Sequence, residues 1–205
     1  MQRFRNLFLF TLKLVFGLGI LVYGLPSQGQ SSASTPQRQV FTKTLRPLGA
    51  NSGTAVVITY EAVVYDPPET IPTAGTVEWD TRTPEAAFRG VFLANKQGDT
   101  NLIVRGFVPA ERERIAGMVT RAEMLEKNTA AYGRIAKVSL LQKTFYGEHV
   151  ILTTAQEDTR GHEWPMSYAF KRTNEGWLLT NELSGDPVYS QLMEIIAPKA
   201  PPKPK

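Results

Sequence analysis

Acid–base chemistry in this chain of 205 residues falls to two histidines, His149 and His162, and to 19 carboxylates, because cysteine is absent altogether. Without a thiol there is no disulfide, no thiolate metal site and no cysteine nucleophile. Two histidines are too few for a histidine-rich metal cage. His162-Glu163 opens like a zincin helix, but Trp164-Pro165 follow and no second histidine stands four positions after the first. Neither a Gly-x-Ser-x-Gly elbow, nor Ser-x-x-Lys, nor a phosphate-cradling glycine loop is present. The remaining chemistry is proton transfer by a histidine beside a carboxylate. His149 borders the Gly147-Glu148 turn, and His162 lies in the polar run 158–163, where Asp158 or Glu163 could assist it. Both settings fit solvated surface residues better than catalytic bases, and neither histidine is expected to be one.

Four segments of period two must position these groups. They are 135–145, 150–157, 164–172 and 177–183, separated by connections short enough to join antiparallel neighbours. Trp164, Met166, Tyr168 and Phe170 share one strand face, and Trp177 and Asn181 share the corresponding face of the next. These six residues are the candidate ligand-binding face; the same row serves equally well as core beneath helices. Asn181 can orient a carbonyl but cannot abstract a proton.

Upstream, Thr83-Pro84-Glu85 is a helix start with an N-cap, a proline at the first helical position and an acid at the positive dipole end. Phe88, Val91 and Phe92 form its apolar stripe, and Gly98 its stop. Asp99 caps a second short helix. A third carries Ile115, Met118, Val119, Ala122 and Leu125 at helical spacing. Residues 56–65 alternate as a strand with Val56, Ile58, Tyr60, Ala62 and Val64 on one face, ended by Asp66-Pro67-Pro68. A short strand carrying Val77 and Trp79 is expected after Gly75. Asp186-Pro187 opens a closing helix.

The two ends read differently. Residues 1–25 join a basic start to an apolar run at 14–25 ended by Pro26, and Ser31-Ser32-Ala33 fits a cleavage site. That is a signal peptide, or a retained N-terminal membrane anchor if the apolar stretch is counted from Leu7 across Lys13. Residues 26–39 are a linker, and 197–205 a Pro/Lys tail. Arg3, Arg5, Lys13, Lys199, Lys203 and Lys205 lie in acid-free ends. Removing those six charges takes the net charge from +4 to −2 for residues 34–198. The basicity therefore sits on the tails, which argues against nucleic acid.

Helices followed by an antiparallel meander are an α+β arrangement. The order resembles the nuclear transport factor 2-like superfamily, a cystatin-like α+β roll. Two stretches carry the resemblance: Thr83-Pro84-Glu85-Ala86-Ala87-Phe88 leading to Gly98-Asp99, and Glu175-Gly176-Trp177-Leu178-Leu179-Thr180. It implies three N-terminal helices on a curved sheet of about four long strands over residues 81–196; it does not account for residues 40–80, which read as an added β-hairpin. It also implies an apolar pocket, which in the family's enzymes holds an inward Asp or a His with Asp. Strand parity here offers Asn181 instead of an acid.

The expected function is an exported, non-catalytic binding or accessory domain of the cell envelope, without cofactor or metal. Its partners would be a small apolar ligand, an envelope protein, or a second copy pairing through the sheet. One rival is a proton-transfer enzyme (isomerase, cyclase or dehydratase) that recruits His149, His162 or Asp158. The other is a membrane-tethered envelope-assembly module.

Overall fold

The structure, a computed structural model, describes residues 37–45 and 56–196. The expected export segment, nearly all of the linker and the Pro/Lys tail lie outside these residues. Among the described residues no helix is long and apolar enough to cross a membrane.

Six strands form one antiparallel sheet in chain order: β1 (Arg38–Leu45), β2 (Val56–Ile71), β3 (Ile135–Tyr146), β4 (His149–Asp158), β5 (Glu163–Thr173) and β6 (Gly176–Leu179). Four helices are inserted between β2 and β3: α1 (Pro84–Gln97), α2 (Thr100–Arg105), α3 (Pro109–Val119) and α4 (Ala122–Gly133). A fifth, α5 (Pro187–Ile196), follows the sheet. This corrects the expected architecture of three N-terminal helices on four long strands. The helices do not precede the sheet, and residues 40–80 do not make a hairpin added to it. β2 pairs with β1 on one side and β3 on the other, so both belong to the sheet itself.

Three local elements differ from the expected ones. Asp66-Pro67-Pro68 does not end β2. Prolines lack the N–H a ladder needs, but a register shift between Val64 and Glu69 leaves residues 65–68 unpaired, and pairing with β3 resumes through Ile71. Val77 and Trp79 lie in an irregular connection rather than a strand. The third helix is two. The Thr120 hydroxyl donates to the Ala116 carbonyl at 2.8 Å, and the chain restarts at Arg121, whose carbonyl accepts from Met124 and Leu125. Leu125 therefore belongs to α4, from which it packs against the cluster that holds Ile115 and Val119.

The start of α1 follows its sequence signals closely. Thr83 Oγ1 accepts from the Ala86 N–H at 3.1 Å, and Pro84 occupies the first turn. Gly98 ends the helix in the left-handed region at φ 71°, which lets the Asp99 N–H reach the Ala94 carbonyl at 3.0 Å. Asp99 then caps α2 through the Leu102 N–H.

The sheet is buried on both faces. Toward α1, Val138, Leu140, Val150, Leu152 and Phe170 pack with Ala87, Phe88, Phe92 and Leu93. On the other face, Ile58, Tyr60, Ala62 and Ile151 pack with Leu192 and Ile196 of α5. Neighbouring residues of β4, such as Ile151 and Leu152, thus feed different clusters, and residues 150–156 are all buried. Removing a large apolar side chain of this kind from water contributes about 1.5–3 kcal/mol. Asp186 caps α5 through the Val188 and Tyr189 N–H groups and accepts from Tyr146 Oη at 2.8 Å, joining the helix to the β3–β4 hairpin. A third cluster of Ala94, Ile103, Ile115 and Val119 unites α1, α2 and α3.

Candidate functional site

The interior between α1 and the sheet is where a pocket would lie in the expected roll. Trp164, Tyr168, Phe170 and Trp177 all point into this layer and pack against its core, with Phe170 fully buried. The Tyr168 ring lies 4.8 Å from Phe88. Phe88 lies 5.9 Å from Phe92, which meets Tyr132 edge-on at 5.3 Å. The enclosed hydroxyls are satisfied from within. Gln156 Nε2 donates to Tyr168 Oη at 2.6 Å, and Tyr168 and Tyr132 hydrogen-bond each other. Burial, reinforced by Tyr132, pushes the Tyr168 phenol well above its ordinary pKa. Met166, half-buried, stands in register with Thr154, whose hydroxyl donates to the Met166 carbonyl at 3.2 Å.

Asn181 does not join this face. β6 stops at Leu179, so the strand expected through residue 183 is short, and Asn181 is exposed ahead of a 3-10 helix at Glu182–Gly185. Its backbone N–H and its Nδ2 each donate to Glu111 at 2.6 Å. Glu111 also accepts from Thr180 Oγ1 at 2.9 Å and from Arg114 at 2.7 Å. Burial works against its charge, but these bonds outweigh burial and hold the carboxyl below its ordinary range. Four donors on one carboxylate form a structural clasp between α3 and the exit of β6.

Neither histidine enters the interior. His149 Nε2 lies 3.3 Å from Glu182, which also takes Lys171 Nζ at 2.8 Å. His162 Nδ1 lies 3.3 Å from Asp158 within the β4–β5 turn. Among the described residues no three His, Asp or Glu side chains are grouped to hold a metal ion.

A cleft of about 200 Å³ opens elsewhere, and none of the six candidate residues lines it. Its walls are the end of β2 with Glu69 and Ile71, the connection with Glu78 and Asp80, and the first turns of α1 with Glu85 and Arg89. Trp79 pins that connection by lying against Gly90, where a Cβ would stand 3.5 Å from the indole, and Gln97 Nε2 donates to the Gly75 carbonyl at 3.1 Å. Two of the four carboxylates are matched. Asp80 is bound by Arg82 through side chain and backbone, and its pKa falls to about 2 for that reason. Glu85 takes Lys143 Nζ at 2.8 Å and Tyr65 Oη at 3.2 Å. Burial, then the Glu85 charge, raises the Tyr65 phenol far above its usual value. The side chains of Glu69 and Glu78 are exposed and make no ion pair or hydrogen bond with the described residues. Arg89 Nε is buried without an acceptor.

The sequence reading missed this cleft for an identifiable reason. Ending β2 at Pro67-Pro68 put Glu69 in a loop, far from α1. The available signal was on α1 itself, where Glu85 and Arg89 stand four residues apart and so share a face beside the apolar stripe.

No family model and no curated protein matches the chain. Among solved structures, a SEC-C motif containing protein of Rhodopseudomonas palustris is similar at 16% identity, over 50% of this chain and 79% of that one, with a TM-score of 0.37. A Campylobacter jejuni protein named as an NTF2-like transpeptidase is similar at 12% identity, over 47% of this chain and 97% of that one, also with a TM-score of 0.37. At that score neither likeness decides family, chemistry or partner.

Proposed function

We propose that this protein is an exported, non-catalytic binding or accessory domain of the cell envelope. The observation that supports it is the filled interior. The layer where a substrate pocket would lie holds Phe88, Phe92, Tyr132, Tyr168 and Phe170 in mutual contact, with its hydroxyls bonded to one another and to Gln156. A proton-transfer enzyme needs a base within about 3 Å of its proton in a site that excludes water. Both acid–histidine pairs lie outside that layer, at the β4–β5 turn and beside Glu182. Export is read from the basic start, the apolar run at 14–25 ended by Pro26, and Ser31-Ser32-Ala33.

Titrating the protein with indole, followed by NMR, tests the binding-without-catalysis reading. Wild type is expected to show no saturable shift at Trp164, Tyr168 or Phe170. Phe88→Ala, which opens a cavity there, is expected to show one. Saturable binding of indole to the wild-type interior would favour a substrate pocket instead. Cell fractionation with N-terminal sequencing tests export, and recovery of the chain in the cytoplasm with Met1 intact would refute it.

A further inference from the structure

We propose that two copies of this chain associate through β1, which pairs antiparallel with β1 of the second copy and continues the sheet across the contact. The two edges of the sheet differ. β6 is four residues long and is closed by residues 106–108. β1 runs eight residues and, among the described elements, is hydrogen-bonded to β2 alone. Edge strands are ordinarily blunted by shortness, a proline, a bulge or a covering segment. β1 has none of these. Its register with β2 is unbroken over eight pairs, it holds no proline, and residues 38–40 and 42–44 are exposed. Val40, at 66%, and Val57, at 62% on the same face of β2, are the most exposed large apolar side chains described.

The strand is its own complement, which selects a second copy as the partner. A dyad through Phe41, perpendicular to the sheet, sets Arg38 against Thr44 of the second copy, Gln39 against Lys43 and Val40 against Thr42. Neither cation meets its like, which would oppose the pairing, and every residue from 38 to 44 is matched. Phe41 meets Phe41 on the face covered by α5, where each ring already stacks on Tyr60 at 5.4 Å. Four aromatic rings then form one row across the dyad, and such cross-strand pairs are favourable. A dyad through Thr42 would set Phe41 against Lys43 instead. One strand pairing covers less than the roughly 1,200–2,000 Å² of a standard interface, so a weak dimer is expected, with Kd about 100 µM.

This inference is independent of the preceding reading. It is tested on the intact protein by sedimentation equilibrium to well above that concentration, with backbone amide shifts followed by NMR over the same range. A monomer–dimer equilibrium is expected, with concentration-dependent shifts centred on residues 38–44. Val40→Lys, at an exposed position, sets two lysines diagonally across the dyad and is expected to weaken the dimer by about tenfold or more. Val57→Lys, at a position almost as exposed but one strand farther from the dyad, is expected to leave it unchanged. Three results would overturn the proposal. The first is a monomer throughout, which would leave this edge to a strand of another protein. The second is equal weakening by Val57→Lys, which would move the contact to the face of the two strands. The third is a dimer whose shifts lie away from β1.

Discussion

Glu111 shows how much one side chain can organise here. Its carboxylate, mostly buried between α3 and the chain leaving β6, accepts from the Asn181 backbone, Asn181 Nδ2, Thr180 and Arg114. Glu111→Ala is expected to destabilise the fold by about 2 kcal/mol in urea melts, the scale of hydrogen bonds to a charged group. The pH dependence has a definite sign. The folded-state pKa lies below the ordinary value, so the stabilisation is complete above the unfolded pKa near 4.5 and is lost as pH falls through the folded one. Glu111→Gln should therefore lose stability less steeply than wild type between neutral pH and acid; equal slopes would assign the acid sensitivity elsewhere. Tyr168→Phe removes the acceptor of Gln156 Nε2, and a loss of about 1–2 kcal/mol is expected by the same melts. From sequence, Trp164, Tyr168, Phe170 and Trp177 were legible as one face, because alternation survives any error in strand ends. The Asn181 assignment failed because it carried that alternation two residues past Leu179, where Glu111, 70 residues away, captures the backbone.

At the scale of elements, capping and turn chemistry were readable, and tertiary breaks were not. Thr83, Gly98 and Asp99 act through neighbours within four residues, so their roles appear in the sequence. The division of α3 from α4 has no proline or glycine to mark it, and the continuation of β2 past Pro67-Pro68 depends on β3, some 70 positions onward. The six-stranded order itself rests on such long-range pairing, which strand patterns alone do not specify. Gly176 makes a connection of the same kind. Its φ is 100°, and a Cβ there would stand 2.5 Å from the Thr81 carbonyl oxygen, which accepts from the Trp177 N–H at 2.8 Å. That contact ties the last hairpin to the entrance of α1. Gly176→Ala is expected to cost about 2 kcal/mol or more, from backbone strain and displacement of Thr81 together. Thermal melts check it, and a wild-type midpoint would mean the hairpin does not need this approach.

At the scale of the molecule, the described residues all fall in one compact unit, bounded by positions 34 and 198. A chain shortened to that range is expected to melt in a single cooperative transition; an aggregated product or two transitions would show that the unit needs more of the chain. Within it, the sheet is covered on one face by α1 and on the other by α5, and its β6 edge is closed by residues 106–108, where the Leu179 N–H donates to Gly106 and its carbonyl accepts from Val108. Such coverage encloses the aromatic layer between α1 and the sheet. The most direct measurement is the position of xenon in crystals of wild type and Phe88→Ala held under xenon pressure, since dry apolar cavities take up this gas. A filled interior predicts no xenon between α1 and the sheet in wild type, and a xenon atom beside Tyr168 in the variant. Xenon beside Tyr168 in wild type would contradict the account.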